Sequence, residues 1–277
     1  MARLSHTVTV LAPDRELLDT CAPLLWDLAE STRARGRDIV LPDGRKVPGL
    51  ALVKGRHLRP GARYESSGSG TGERETTVIR EWRRGSAIAV EQLLRSPELS
   101  GRMSVRLRGP DRPAALEIAG RVRGPEGSGS LHRLSGRASL DLTAWWAAAA
   151  LAPGAPPVAR APAEARLRHR LGIARLYLRP RPAEQGLWHV DVTLSVHGRL
   201  LLRPVAAFAL LLAGVPLRRG FRSSVERAAG QWNEALGQVL AMSPDELRAE
   251  LAGHLVTGPD DDKTDGAAAA DGTERPG

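Results

Sequence analysis

The chain has 277 residues, of which 42% are hydrophobic and 26% charged, so most of it is long and apolar enough to build a substantial core rather than stay disordered. Cys21 is the only cysteine, which excludes an intrachain disulfide and a cysteine-based zinc site. The formal charge of +9 hides two opposed parts: residues 257–277 carry Asp260, Asp261, Asp262, Asp265, Asp271 and Glu274 against Lys263 and Arg275, a balance of −4, which leaves +13 on the body.

In chain order, residues 5–11 alternate polar and apolar, with Val8 and Val10 on one face, and predict a first strand. Pro13 and Asp14 supply a helix start, and Leu17, Cys21, Leu24 and Leu28 recur at helical spacing. Pro23 interrupts that pattern, so two short helices are expected to meet near it. Pro42-Asp43-Gly44 lies between two apolar stretches as a hairpin turn. Residues 58–64 predict a further strand, followed by a Gly/Ser loop over 66–72. Residues 75–82 and 87–94 flank Arg84-Gly85 as another hairpin.

Alternation then becomes regular. Met103, Val105 and Leu107 share one face while Arg102, Arg106 and Arg108 share the other. Leu116, Ile118 and Val122 repeat the pattern, as do Leu134, Ala138, Leu140 and Leu142. This predicts an antiparallel sheet with one apolar face and one arginine-rich face. Residues 143–151 predict a short helix bearing Trp145 and Trp146, and 152–162 form a Pro/Ala-rich loop. Residues 165–178 and 187–196 predict the longest hairpin, with a bulge near Gly172 where the apolar phase changes. Ser223-Ser224-Val225-Glu226 reads as a capping box opening a long helix, with Phe221, Val225, Trp232, Leu236 and Val239 as its apolar stripe. Ser243-Pro244-Asp245-Glu246 opens a second, short helix. The composition after His254 is that of a disordered acidic tail.

The order of elements resembles the helix-grip fold of the START/polyketide-cyclase-like superfamily. Leu58-Arg59-Pro60-Gly61-Ala62-Arg63-Tyr64 with Thr77-Val78-Ile79-Arg80-Glu81-Trp82 looks like that fold's early strand pair. Residues 165–197, leading to 221–240, look like its last strands and gripping helix. The resemblance implies an α+β fold, an antiparallel sheet wrapped on a long C-terminal helix, with two short helices after the first strand. It covers roughly residues 5–240 as an order of elements, and residues 1–255 are expected to form a single domain, with insertions near 38–50 and 143–162. It further implies a cavity for a small apolar molecule between sheet and helix.

The residues expected to line such a cavity are His132, His169, Trp188, Val192 and Trp232. His132 and His169 share strand parity with apolar neighbours, where an unsatisfied imidazole costs about 1–3 kcal/mol and therefore needs a partner. An aromatase/cyclase-like enzyme using one of these histidines is the second reading. A protein that binds anionic surfaces through its arginine face is the third. No histidine pair has metal-ligand spacing, so neither metal nor cofactor is expected. All basic residues except Lys46, Lys54 and Lys263 are arginine, a mark of coding bias, and no nucleic-acid motif is visible, so nucleic acid is not an expected partner. The apolar run at 205–215 is too short to span a bilayer, which takes roughly 20 residues. Residues 1–10 alternate where a secretory leader would be continuously apolar, so a cytoplasmic location is expected, with peripheral contact to anionic membrane as an option. Deleting residues 257–277 should leave the thermal unfolding midpoint nearly unchanged in a calorimetric scan.

Overall fold

The computed structural model describes residues 2–67, 74–125, 132–152, 155–156, 158–184, 186–198 and 214–256. The Gly/Ser loop, the apolar run over 205–215 except its last two residues, and the acidic tail fall wholly or largely outside them. The described residues form an α+β structure with one 13-stranded antiparallel sheet. Its strands are β1 (Ala2–Leu11), β2 (Arg33–Arg35), β3 (Asp38–Val40), β4 (Lys46–Lys54), β5 (Arg63–Ser67), β6 (Arg74–Arg83) and β7 (Ala87–Arg95), then β8 (Ser100–Arg108), β9 (Ala115–Arg123), β10 (Arg133–Asp141), β11 (Ala163–His169), β12 (Gly172–Pro182) and β13 (Leu187–Gly198). Strands β2 to β13 follow one another across the sheet, and β1 pairs with β13.

Side-chain alternation divides the sheet into two faces. One carries Val90, Val105, Ile118, Ala138, Ala165, Leu176, Leu194 and Leu4 as a single cross-strand row. The other carries the arginines. Antiparallel pairing with in-register hydrophobic residues explains why the alternation read from the sequence maps directly onto these faces.

Four helices are described: α1 (Arg15–Ser31), α2 (Leu142–Ala149), α3 (Gly214–Ala241) and α4 (Pro244–Val256). Helix α1 is continuous through Pro23 and is N-capped by Asp14, whose side chain accepts from the Glu16 N–H. This corrects the expectation of two short helices: a proline within a helix is tolerated where packing holds the rest in place. Helix α1 lies on the apolar face near β6, where Trp26 and Trp82 meet edge to face at 6.0 Å. The Trp26 indole donates to the Pro110 carbonyl at 2.8 Å, and that of Trp82 to Glu30 at 2.9 Å. Arg84 ties Asp27 of α1 to Asp111.

At the opposite end, Phe221, Val225 and Ala229 of α3 pack with Trp145 and Trp146 of α2 on a core of Val10, Trp188, Val190 and Val192. The long C-terminal helix therefore lies on the sheet in helix-grip-like fashion, but over its β1–β13 end rather than along its middle. Trp232 corrects the stripe: it is 46% exposed, and its indole donates to the Leu11 carbonyl at 2.9 Å. Asn233 accepts the Leu11 N–H at 2.8 Å. Strand β1 stops at Leu11, so the helix satisfies the last backbone groups there instead of burying the ring on the sheet.

Three further corrections follow from turns, caps and loops. Residues 165–178 are two strands, β11 and β12, joined through Arg170 and Leu171; the phase change read as a bulge is this hairpin. A Cβ at Gly172 would sit 2.7 Å from the His197 carbonyl oxygen, so only glycine fits there. Helix α3 starts at Gly214, which places Ser223 inside it rather than at its cap. The second capping box forms as expected: the Ser243 N–H donates to Glu246 at 2.8 Å and Ser243 Oγ accepts the Glu246 N–H at 3.3 Å. The predicted strand over 58–64 is mostly a loop. Its Leu58 adopts φ +52°, and β5 begins at Arg63.

Trp188 is 8% exposed and touches both Trp145 and Trp146, at ring separations of 5.8 and 5.1 Å. Trp188→Ala should cost on the order of 3–5 kcal/mol in denaturant unfolding. A loss below about 1 kcal/mol would mean that this core does not hold the end of the sheet.

Candidate functional site

Between the helix-covered ends, the apolar face over β7 to β13 forms a groove of about 830 Å³. Its floor is set by two glycines, Gly120 of β9 and Gly136 of β10, which stand directly opposite each other. A Cβ at Gly120 would have only the Arg102 carbonyl oxygen nearby, at 3.7 Å, and one at Gly136 would touch Leu167 at 3.4 Å. Both positions thus have room for a side chain and carry none. Met103 and Leu167 continue that row on either side, 40% and 45% exposed. The next rows supply Ile118, Ala138, Leu176 and Leu194 on one flank and Val122 and Leu134 on the other.

Two polar side chains, Glu75 and Gln92, stand at the β6–β7 end of the same face. Glu75 accepts a long hydrogen bond from Ser66 at 3.4 Å. The groove is therefore apolar along its length and polar at one end, the usual composition of a small-molecule site.

The five residues expected at the site are not gathered in the groove. His132 precedes β10 and is exposed. His169 is half-buried on the apolar face opposite Leu134, at the rim, and its Nδ1 accepts the Leu171 N–H at 3.3 Å. Trp188 and Val192 are buried in the α2–α3 core, and Leu176, packed against that core, also lines the groove. Trp232 lies beyond them at the end of β1. Among the described residues, no side chain of α3 lines the groove. Where the family resemblance implies a space between sheet and helix, Phe221, Val225 and Ala229 pack against the sheet.

One polar network went unread in the sequence because its members lie far apart in it. Thr32 donates to the Ala29 carbonyl at 2.6 Å, so its hydroxyl accepts from His57 Nε2 at 2.9 Å. Tyr64 accepts the Leu58 N–H at 2.8 Å and donates to His57 Nδ1 at 2.9 Å. This sequence of donors holds His57 neutral. Burial pushes its pKa below the ordinary 6.5, against a smaller opposing effect of Thr32, and burial raises that of Tyr64. Every polar atom is used within the protein, so the network locks the loop before β5 to the end of α1. Its position beside Ile39, Ala62 and Ile79 is away from the groove.

No group of three or more His, Cys, Asp or Glu side chains able to hold a metal occurs among the described residues. No described helix is long and apolar enough to cross a membrane.

No family model matches the chain, and no curated protein matches it. Among solved structures it is similar to the di-domain ARO/CYC StfQ from the steffimycin biosynthetic pathway, with 11% identity, 85% of this chain and 99% of that chain covered, and a TM-score of 0.22. A second is DynU16, a putative protein in the dynemicin biosynthetic locus, with 12% identity, 70% and 86% coverage, and a TM-score of 0.16. At these values neither likeness carries an argument about this chain.

Because the folded His57 takes up a proton less readily than the unfolded one, its neutral form stabilises the fold above pH 6.5. That contribution should be lost as pH falls from there toward the lowered folded value. His57→Gln should flatten the midpoint-versus-pH curve in this window, and an unchanged curve would show that His57 does not set it.

Proposed function

We propose that the chain binds a small, largely apolar molecule, lipid- or polyketide-like in size and character, in the groove over β7 to β13. The observation that supports this most is the paired Gly120 and Gly136 floor. A sheet face meant only to be buried would carry side chains there, as the flanking positions Ile118, Val122, Leu134 and Ala138 of the same two strands do. Two facing glycines instead leave depth, at a cost in strand propensity that simple packing does not repay. A volume of about 830 Å³ suits a ligand of several fused rings or a folded acyl chain. Exposed Met103 and Leu167 give such a ligand apolar area, and contiguous exposed apolar surface marks interaction sites. Glu75 and Gln92 would receive its polar end, with Glu75 favouring a hydrogen-bond donor such as a hydroxyl. Residues 1–255 act as a single domain in this reading. An enzymatic role for His132 or His169 gains no support, since neither lines the groove.

The test uses the neutral dye Nile red with the full chain. Saturable one-to-one binding is expected, weakened about tenfold or more by Gly120→Phe, which fills the floor, for a loss of about 1.4 kcal/mol. Trp188→Phe, outside the groove, should leave affinity within a factor of about two. Absence of saturable binding, or equal binding by the Gly120→Phe protein, refutes the reading. Gln92→Leu should leave dye affinity unchanged while weakening ligands that carry a terminal hydroxyl.

A further inference from the structure

The opposite face of the same strands carries a second groove, of about 470 Å³. Arg102, Arg121, Arg137, Arg166 and Arg168 surround it, over a floor of small residues that includes Ser104, Ala119 and Ser135. Among the described residues, no carboxylate lines it.

Strand register shows that these arginines are segregated rather than scattered. One cross-strand row reads Arg102, Arg121, Ser135, Arg168. The next reads Ser104, Ala119, Arg137, Arg166, Arg175, and on the other side lies the pair Arg123 and Arg133. Arg102 stands directly opposite Arg121, Arg123 opposite Arg133, and Arg166 opposite both Arg137 and Arg175. Like charges directly opposite each other destabilise a sheet. Over β8 to β12 acidic residues return only in the following row, with Glu117 and Glu164, while Glu91 of β7 stands opposite Ser104 at the end of the second row. Coding bias accounts for the number of arginines, but not for the absence of carboxylates from these three rows over β8 to β12.

The nearest carboxylate, Glu91, is already engaged. It is 5% exposed and held by Arg80 and Arg102. Burial would raise its pKa, but hydrogen bonds from Arg102 and Arg80 together outweigh that and hold it below the ordinary carboxylate range. Among the described residues, Arg121, Arg137 and Arg168 make no ion pair.

We infer that this groove binds a group bearing clustered phosphates. Guanidinium forks match phosphate oxygens in pairs, and a phosphate cluster is dense enough in charge to offset several adjacent arginines at once. Ser104 and Ser135 in the floor add neutral donors. The site faces the opposite side of the sheet from the apolar groove, and its test does not depend on an apolar ligand. A lipid headgroup and a soluble polyphosphate offer the same chemistry.

Calorimetric titration of the full chain with tripolyphosphate, and flotation with phosphatidylcholine vesicles with and without phosphatidic acid, separate the two sources. Saturable tripolyphosphate binding is expected, reduced about tenfold or more in R121S/R137S and steeply reduced by salt. R218S/R219S, which removes the same charge from exposed positions on α3, should change it less than about twofold. Tripolyphosphate binding without flotation assigns a soluble ligand. Flotation only with phosphatidic acid, displaced by tripolyphosphate, assigns a headgroup. R121S/R137S should unfold at the same or a higher temperature in phosphate-free buffer, since it relieves like-charge pairs. No saturable binding to either probe, equal loss in both double variants, or a lower unfolding temperature for R121S/R137S without ligand overturns the proposal.

Discussion

Covering one apolar sheet face is the constraint on which the rest of the structure depends. Thirteen strands spaced about 4.8 Å apart make a sheet roughly 55–60 Å across along its curvature. A helix is about 10 Å wide and covers some two strands. The four described helices therefore cannot cover the whole face, and they are placed at its two ends. α1 and α4 serve the β3–β7 end, and α2 and α3 serve the end where β1 closes on β13. The groove over β7 to β13 lies where that coverage stops. It needs no special excavation beyond Gly120 and Gly136, whose missing side chains deepen the part of the face that no described helix lines.

The two ends are held by different physics. At the β1–β13 end the work is done by buried area. Trp188 sits between Trp145 and Trp146, and such aromatic clusters outweigh any single polar contact. At the α1 end, Arg84 joins Asp27 and Asp111, with its guanidinium only 26% exposed and both carboxylates more open. Its pKa is raised by the hydrogen bonds it donates to Asp111 first and Asp27 second. Ion pairs this exposed are worth about 0–1 kcal/mol each. They orient α1, while Trp26 and Trp82 supply the area that keeps it in place. The neutral Thr32–His57–Tyr64 network then fixes the loop that follows, with no buried donor left unmatched.

Strand positions and faces were legible because period-two alternation is a local signal. Met103, Val105 and Leu107 against Arg102, Arg106 and Arg108 sort onto opposite faces just as the residues alone suggest. What was not legible depended on partners distant in sequence. Trp232 falls on the helix stripe, yet its exposure is set by where β1 ends, more than two hundred residues earlier. Pro23 and Ser223-Ser224-Val225-Glu226 are strong local punctuation, but tertiary packing carried a helix through each. The break between β11 and β12 looked like a bulge because a two-residue hairpin connection and a bulge both shift the apolar phase; the antiparallel pairing of the two strands, with Arg168 opposite Ile173, shows which it is. The groove itself was missed because its signal is an absence: two glycines in separate strands mean nothing until register sets them face to face.

That register also brings the two grooves into one place. Gly120 and Gly136 belong to both, as do the backbones of Arg102, Arg121, Arg137 and Arg166. On one side of these strands the side chains are Met103, Val122, Leu134 and Leu167; on the other they are arginines and serines. A single sheet thickness separates an apolar site from an arginine-lined one, and nothing bulky lies between them at the glycine pair. Alternation makes the two chemistries separable by substitution, since each position belongs to one face only. It also means that backbone distortion at Gly120 or Gly136 reaches both grooves at once. Side chains that flank the pair, such as Leu167 on one face and Arg137 on the other, therefore report on each site alone, whereas the glycines report on the sheet they share.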